Sequence, residues 1–141
     1  MSVTATDNFP AVEFQPVLGN RDFLLRIKRY PDDGSYNGGQ TWVQLDETVC
    51  TNGHYWQKFI FSHQVEPGHD LQVLRDAFKQ VRDRMKADVR SWSQYRYWAS
   101  LEKGGKRAYY SKHANYWRGR ITESATMWLL CRQLWKELVK L

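Results

Sequence analysis

Between Arg21 and Tyr30 the apolar residues Phe23, Leu25 and Ile27 alternate with Asp22, Arg26 and Lys28. A period of two belongs to a strand with one buried face. Pro31-Asp-Asp-Gly-Ser-Tyr-Asn-Gly-Gly39 then gathers turn-forming residues into a loop. Thr41 to Cys50, with Trp42, Val43, Leu45 and Val49 as its apolar positions, predicts the returning strand. Asn52-Gly53 offers the positive-φ pair that a two-residue hairpin turn needs. Tyr55 to His63, carrying Trp56, Phe59 and Phe61, predicts a third strand, and the three make an antiparallel meander. Ahead of them Pro10 and Pro16 interrupt any helix, so residues 1–20 read as an N-terminal extended arm or an edge strand.

Beyond Pro67-Gly68 the period lengthens. Leu71, Leu74, Phe78, Val81 and Met85 recur every three or four residues, which predicts an amphipathic helix capped by Asp70 and running to about Val89. From Tyr95 to Ser111 the expectation is an aromatic-rich β-hairpin. Tyr95, Tyr97 and Leu101 precede Gly104-Gly105, Tyr109 follows, and paired glycines suit a tight turn. A helix interrupted by the two glycines is the competing reading. Thr122 is expected to cap a C-terminal helix, with Glu123 in its first turn and Lys140 in its last. The broad apolar face of that helix would place Trp128, Leu134, Trp135 and Leu138 in the core. Strands, helix, hairpin and helix in this order predict the α+β class, with a single domain over residues 21–141 behind the arm.

Composition narrows the picture. A chain of 141 residues, 42% hydrophobic and 15% aromatic, has the size of one domain and is no disordered polar chain. The longest apolar run, Met127 to Cys131, is too short for a bilayer, and Met1 to Pro16 lacks the pattern of a secretory leader. Cys50 and Cys131 make no disulfide framework. The expectation is a cytoplasmic protein with no membrane partner. Charge changes the picture most. The net charge is +6, yet residues 1–70 hold five Lys/Arg against nine Asp/Glu, and residues 71–141 hold sixteen against six. A basic half of this kind points to an anionic partner.

Arg90 to Arg120 is the densest stretch. Eight aromatic side chains, Trp98 and Tyr109 among them, stand beside Arg90, Arg96, Lys103, Lys106, Arg107, Lys112, Arg118 and Arg120, and Glu102 is the single acid. Lys and Arg neutralise phosphates and release counterions, while Tyr and Trp offer flat faces to unstacked bases. The bland alternative is a strand pair that uses rings as core. On the first helix Arg75, Lys79, Arg82 and Lys86 step by four, three and four, and Arg90 extends the row. Such a row can lie along a phosphate backbone or simply face water.

Other chemistry finds less support. Cys50, His54, His63 and His69 are zinc-ligand types, but their spacing matches no zinc-finger pattern, and no metal is expected. His113 with Tyr109 or Tyr110 could build an acid–base or nucleophilic centre. No phosphate loop, dinucleotide fingerprint or Gly-x-Ser-x-Gly accompanies them, so neither a catalytic residue nor a cofactor is expected. The sequence therefore predicts a non-catalytic module that binds DNA or RNA through the basic hairpin and the helix row. The alternative is a small protein–protein inhibitor or adaptor, of the kind phages encode against host nucleic-acid machinery, anti-CRISPR proteins being one example. Acidic residues such as Asp32, Asp33, Asp46 and Glu47 would then occupy a basic channel on a host complex. Exposed aromatics would also suit a homodimer.

Overall fold

The computed structural model describes residues 3–5 and 11–140. Six antiparallel strands form one sheet: β1 (Val3–Ala5), β2 (Ala11–Phe14), β3 (Val17–Leu18), β4 (Arg21–Arg29), β5 (Thr41–Thr51) and β6 (His54–Val65). Their order is β1-β2-β4-β5-β6, with β3 also paired to β4. Two long helices follow, α1 (Asp70–Leu101) and α2 (Gly105–Leu138). The class is α+β, as the alternation of periods predicts. The described residues divide into a sheet unit, residues 1–77 with 133–141, and a helical unit, residues 78–132.

In the sheet unit the meander forms as β4-β5-β6, and the segment ahead of it adds β1, β2 and β3 to the same sheet. Phe23, Leu25 and Ile27 are buried on one face, beside Val43 and Leu45 of β5 and Phe61 and Val65 of β6. Val73, Leu74 and Ala77 of α1, with Leu134 and Leu138 of α2, are buried in the same unit and complete its apolar interior. Asn52 (φ 52°) and Gly53 (φ 81°) form the β5–β6 turn with the positive-φ pair the sequence calls for. Arg29 donates to the Asp70 carboxylate at 2.7 Å and to the Gly68 carbonyl at 3.0 Å, which ties β4 to the start of α1. The carbonyl of His69 accepts from Val73, so His69 occupies the cap and Asp70 stands in the first turn, where its charge suits the helix dipole.

Two aromatic rings of β6 are exposed. A bulge sets Leu45 opposite Phe61 but Asp46 opposite Phe59, leaving Ile60 as the extra residue. The extra residue reverses the alternation, so Phe59 turns to the face opposite Phe61. Trp56 pairs with Val49, past Thr48, where pairing with β4 stops, and among the described residues no third strand flanks it there. Phe59 and Trp56 are 61% and 46% exposed.

The larger correction concerns residues 95–111. No β-hairpin forms there. The helix α1 runs past Val89 to Leu101, and α2 begins at Gly105, so the stretch is a helix–turn–helix. Only Glu102, Lys103 and Gly104 lie between the helices. Gly104, at φ 65°, reverses the chain, and its carbonyl accepts from Ala108 to open α2. Thr122 consequently caps nothing; it is mid-helix, and its hydroxyl donates back to the Arg118 carbonyl at 3.3 Å. In the C-terminal part of α2, Leu130, Cys131, Leu134 and Leu138 are buried, whereas Trp128 and Trp135 are only half-buried.

Candidate nucleic-acid interface

Helical geometry sorts the basic-aromatic stretch in a way strands would not. At 100° per residue, Trp92, Arg96, Ala99 and Ser100 share one face of α1, while Tyr95 and Trp98 lie on the neighbouring flank. On α2, Arg107, Ser111, Ala114, Asn115 and Arg118 share a face, and Tyr110 and His113 flank it. The flanking rings meet across the helix pair. Tyr95 stacks on His113 (centroids 5.0 Å, planes 17° apart), and Trp98 packs edge-on against Tyr95 (5.3 Å) and tilted against Tyr110 (5.7 Å). This aromatic seam joins the helices, and tertiary contact of this kind overrides the modest helix propensity of Tyr and Trp.

On the other side of the seam the helices enclose a groove of about 400 Å³. Its floor has the small side chains Ala99 and Ala114, which leave the space open. Three arginines line its walls, Arg96 from α1 and Arg107 and Arg118 from α2, with Ser100, Ser111 and Asn115 as neutral polar groups. Among the described residues no carboxylate lines it. Arg96 lies over the Trp92 indole, 5.0 Å from the ring centre, which holds its guanidinium in a set orientation.

The remaining candidates lie away from the groove, all but Arg75 on the helical unit. Lys79, Lys86 and Arg90 are exposed and Arg82 is half-buried, all on a row of α1 roughly 90–100° round from the groove. Arg82 is engaged with Asp83 at 3.3 Å. The row's first member, Arg75, is exposed in the sheet unit. Lys103 stands in the turn, and Lys106 and Lys112 are exposed on α2 away from the groove side. Arg120 is drawn inward: its guanidinium donates to the Tyr116 hydroxyl at 3.3 Å and lies 5.6 Å from the Trp117 ring centre. The Tyr116 hydrogen bond, then the nearby Asp88 and Glu123, hold its pKa above the ordinary value. Asp88 is buried, and its Oδ2, like the Nε of Arg120, has no hydrogen-bond partner.

Of the rings, Trp98 is half-buried in the seam and Tyr109 is 56% exposed, in contact with Tyr110 and His113. Tyr97 and Tyr116 are exposed as well. The sequence reading did not single out Trp92, Ser100, Ser111 or Asn115 as site residues. Their signal was a spacing of four: 92, 96, 100 on one helix and 107, 111, 115 on the other. A strand reading scatters those positions, whereas a helix aligns them. Among the described residues no group of three or more His, Cys, Asp or Glu is placed to hold a metal ion. No described helix is long and apolar enough to cross a membrane. Comparison with known protein families, characterised proteins and solved structures finds no match to this chain.

Proposed function

We propose that this chain is a non-catalytic nucleic-acid-binding module that works through its helical unit. One observation carries the reading: residues 78–132 hold thirteen Lys/Arg against four Asp/Glu, and most of those cations are exposed. Such a surface draws a polyanion by releasing the counterions condensed on it. Tyr97, Tyr109 and Tyr116, each more than half exposed, add faces on which unpaired bases can stack. Lys79, Lys86, Arg90, Lys106 and Lys112 provide phosphate contacts around the hairpin, and nothing in their arrangement reads base edges. Sequence-independent binding follows.

The test is a salt titration of the full chain against single- and double-stranded DNA and RNA. Affinity should fall on a log–log plot with a slope of about −0.7 to −0.9 per phosphate contact. Absence of binding to every oligonucleotide near about 50 mM salt would remove the reading.

A protein partner is the second reading, and one observation favours it. Among the described residues the β5–β6 ribbon beyond Thr48 has no third strand beside it, and Tyr55 and Trp56 are exposed there. Aromatic rings on a projecting ribbon are the residue type that anchors protein interfaces. Retention of a host protein complex by wild type, lost in Tyr55→Ala and Trp56→Ala, with no oligonucleotide binding, would favour this reading over the first.

A further inference from the structure

We infer that the groove between α1 and α2 is a track for one single strand of nucleic acid, an inference that rests on the nucleic-acid reading above. Arg96, Arg107 and Arg118 form no ion pair among the described residues, so their donors are available to phosphate oxygens. Arg107 and Arg118 lie eleven residues apart, three turns plus roughly 20°, so they line the same wall at points roughly 16 Å apart. The contacts of Tyr95 with Tyr110 and His113 set the level at which the helices pass each other. At that register Arg96 stands on the facing wall near the middle of the segment. Three guanidiniums staggered over such a length cannot converge on one small anion. They match contacts to about three phosphodiesters spread along one strand over that length.

Width decides between one strand and two. Packed helices have axes about 8–10 Å apart. A duplex, whose major groove alone is about 12 Å wide, is broader than the furrow between them and can only rest across its rims. A single strand can lie within it. The floor of Ala99 and Ala114 lets the backbone sit close, and Ser111 and Asn115 donate to its oxygens. Beside it the guanidinium–indole pair of Arg96 and Trp92 offers a flat surface for a base.

The experiment measures fluorescence anisotropy of labelled oligo(dT), oligo(U) and a mixed-sequence duplex, each of about 12 nucleotides or base pairs. The proteins are the wild-type chain, Arg96→Ala, Arg107→Ala and Arg118→Ala. Lys58→Ala and Lys136→Ala, exposed cations of the sheet unit, control for net charge. Circular dichroism confirms that each variant is folded. Single strands should bind at least about tenfold tighter than the duplex. Each groove variant should weaken single-strand binding about tenfold and reduce the salt slope by about 0.7, one contact's worth. The two lysine variants should stay within about twofold of wild type and keep its slope. Oligonucleotide binding that is as tight for the duplex, or that the groove variants leave at the level of the lysine controls, overturns the track and leaves the nucleic-acid reading standing. Absence of all oligonucleotide binding overturns both.

Discussion

Replacing Trp98 with Ala separates a ring that builds the helix pair from one that binds bases. Trp98 is half-buried and touches Tyr95 at 5.3 Å and Tyr110 at 5.7 Å. Emptying a fully buried aromatic site costs about 3–5 kcal/mol, so half-burial gives roughly 2 kcal/mol. Losing two favourable ring contacts adds roughly 1 kcal/mol. A total near 3 kcal/mol, divided by an unfolding entropy of about 2.1 cal/mol/K per residue over 141 residues, lowers the melting midpoint by roughly 10 °C. The assay is a thermal melt followed at a helix-sensitive wavelength, paired with oligonucleotide anisotropy well below both midpoints. The expected outcome is a large loss of stability with affinity changed by less than about threefold, under one kcal/mol. A variant that melts within about 2 °C of wild type yet loses tenfold or more in affinity would refute the seam and make Trp98 a stacking platform.

Three further outcomes are expected. Leu134→Ala, at a fully buried position, should cost about 2–5 kcal/mol by urea denaturation, and a cost under 1 kcal/mol would contradict the packing of α2 in the sheet unit. Cys131 is buried, with its thiol pKa pushed up to about 12 by desolvation, whereas Cys50 is exposed. A thiol reagent should therefore label one cysteine in the native protein and two after unfolding, and rapid native labelling of both would show an open core. Arg21 holds the Glu47 carboxylate with two bonds of 2.9 and 3.0 Å, and this hydrogen bond keeps the Glu47 pKa below its ordinary 4.5. A lowered carboxylate pKa contributes stability above the unfolded value that is lost as pH falls through the folded one. Because Arg21 is about half exposed, the pair is worth only about 0.5–1 kcal/mol. Glu47→Gln should thus melt below wild type at pH 6 and level with it near pH 3. A gap that persists at low pH would assign the effect to something other than the ion pair.

The sheet was legible because its signals are local. The alternation of Phe23, Leu25 and Ile27 needs only a two-residue period, and Asn52-Gly53 needs only the steric preferences of two residues. The bulge at Ile60 was not legible, since the residues around it are ordinary strand formers and the reversal is set by pairing with β5. It is this pairing that turns Phe59 to the exposed face.

Residues 95–111 show the same division more sharply. Their composition alone settled that the chain would carry cations and rings together, and that part of the site was open to view in the sequence. Whether Gly104-Gly105 closed a strand hairpin or a helix pair was not settled there, because Gly permits either turn and Tyr and Trp are acceptable in both. The cross-helix contacts of Tyr95 and Trp98 with Tyr110 and His113 are long-range, and only the tertiary structure reveals them. Once helices form, the four-residue spacing of Trp92, Arg96 and Ser100, and of Arg107, Ser111 and Asn115, turns scattered polar positions into two facing walls. The residue types were determined by the sequence. Their convergence into one arginine-lined groove was decided by helix packing, because a side chain's direction depends on the backbone period and on which neighbour that backbone meets.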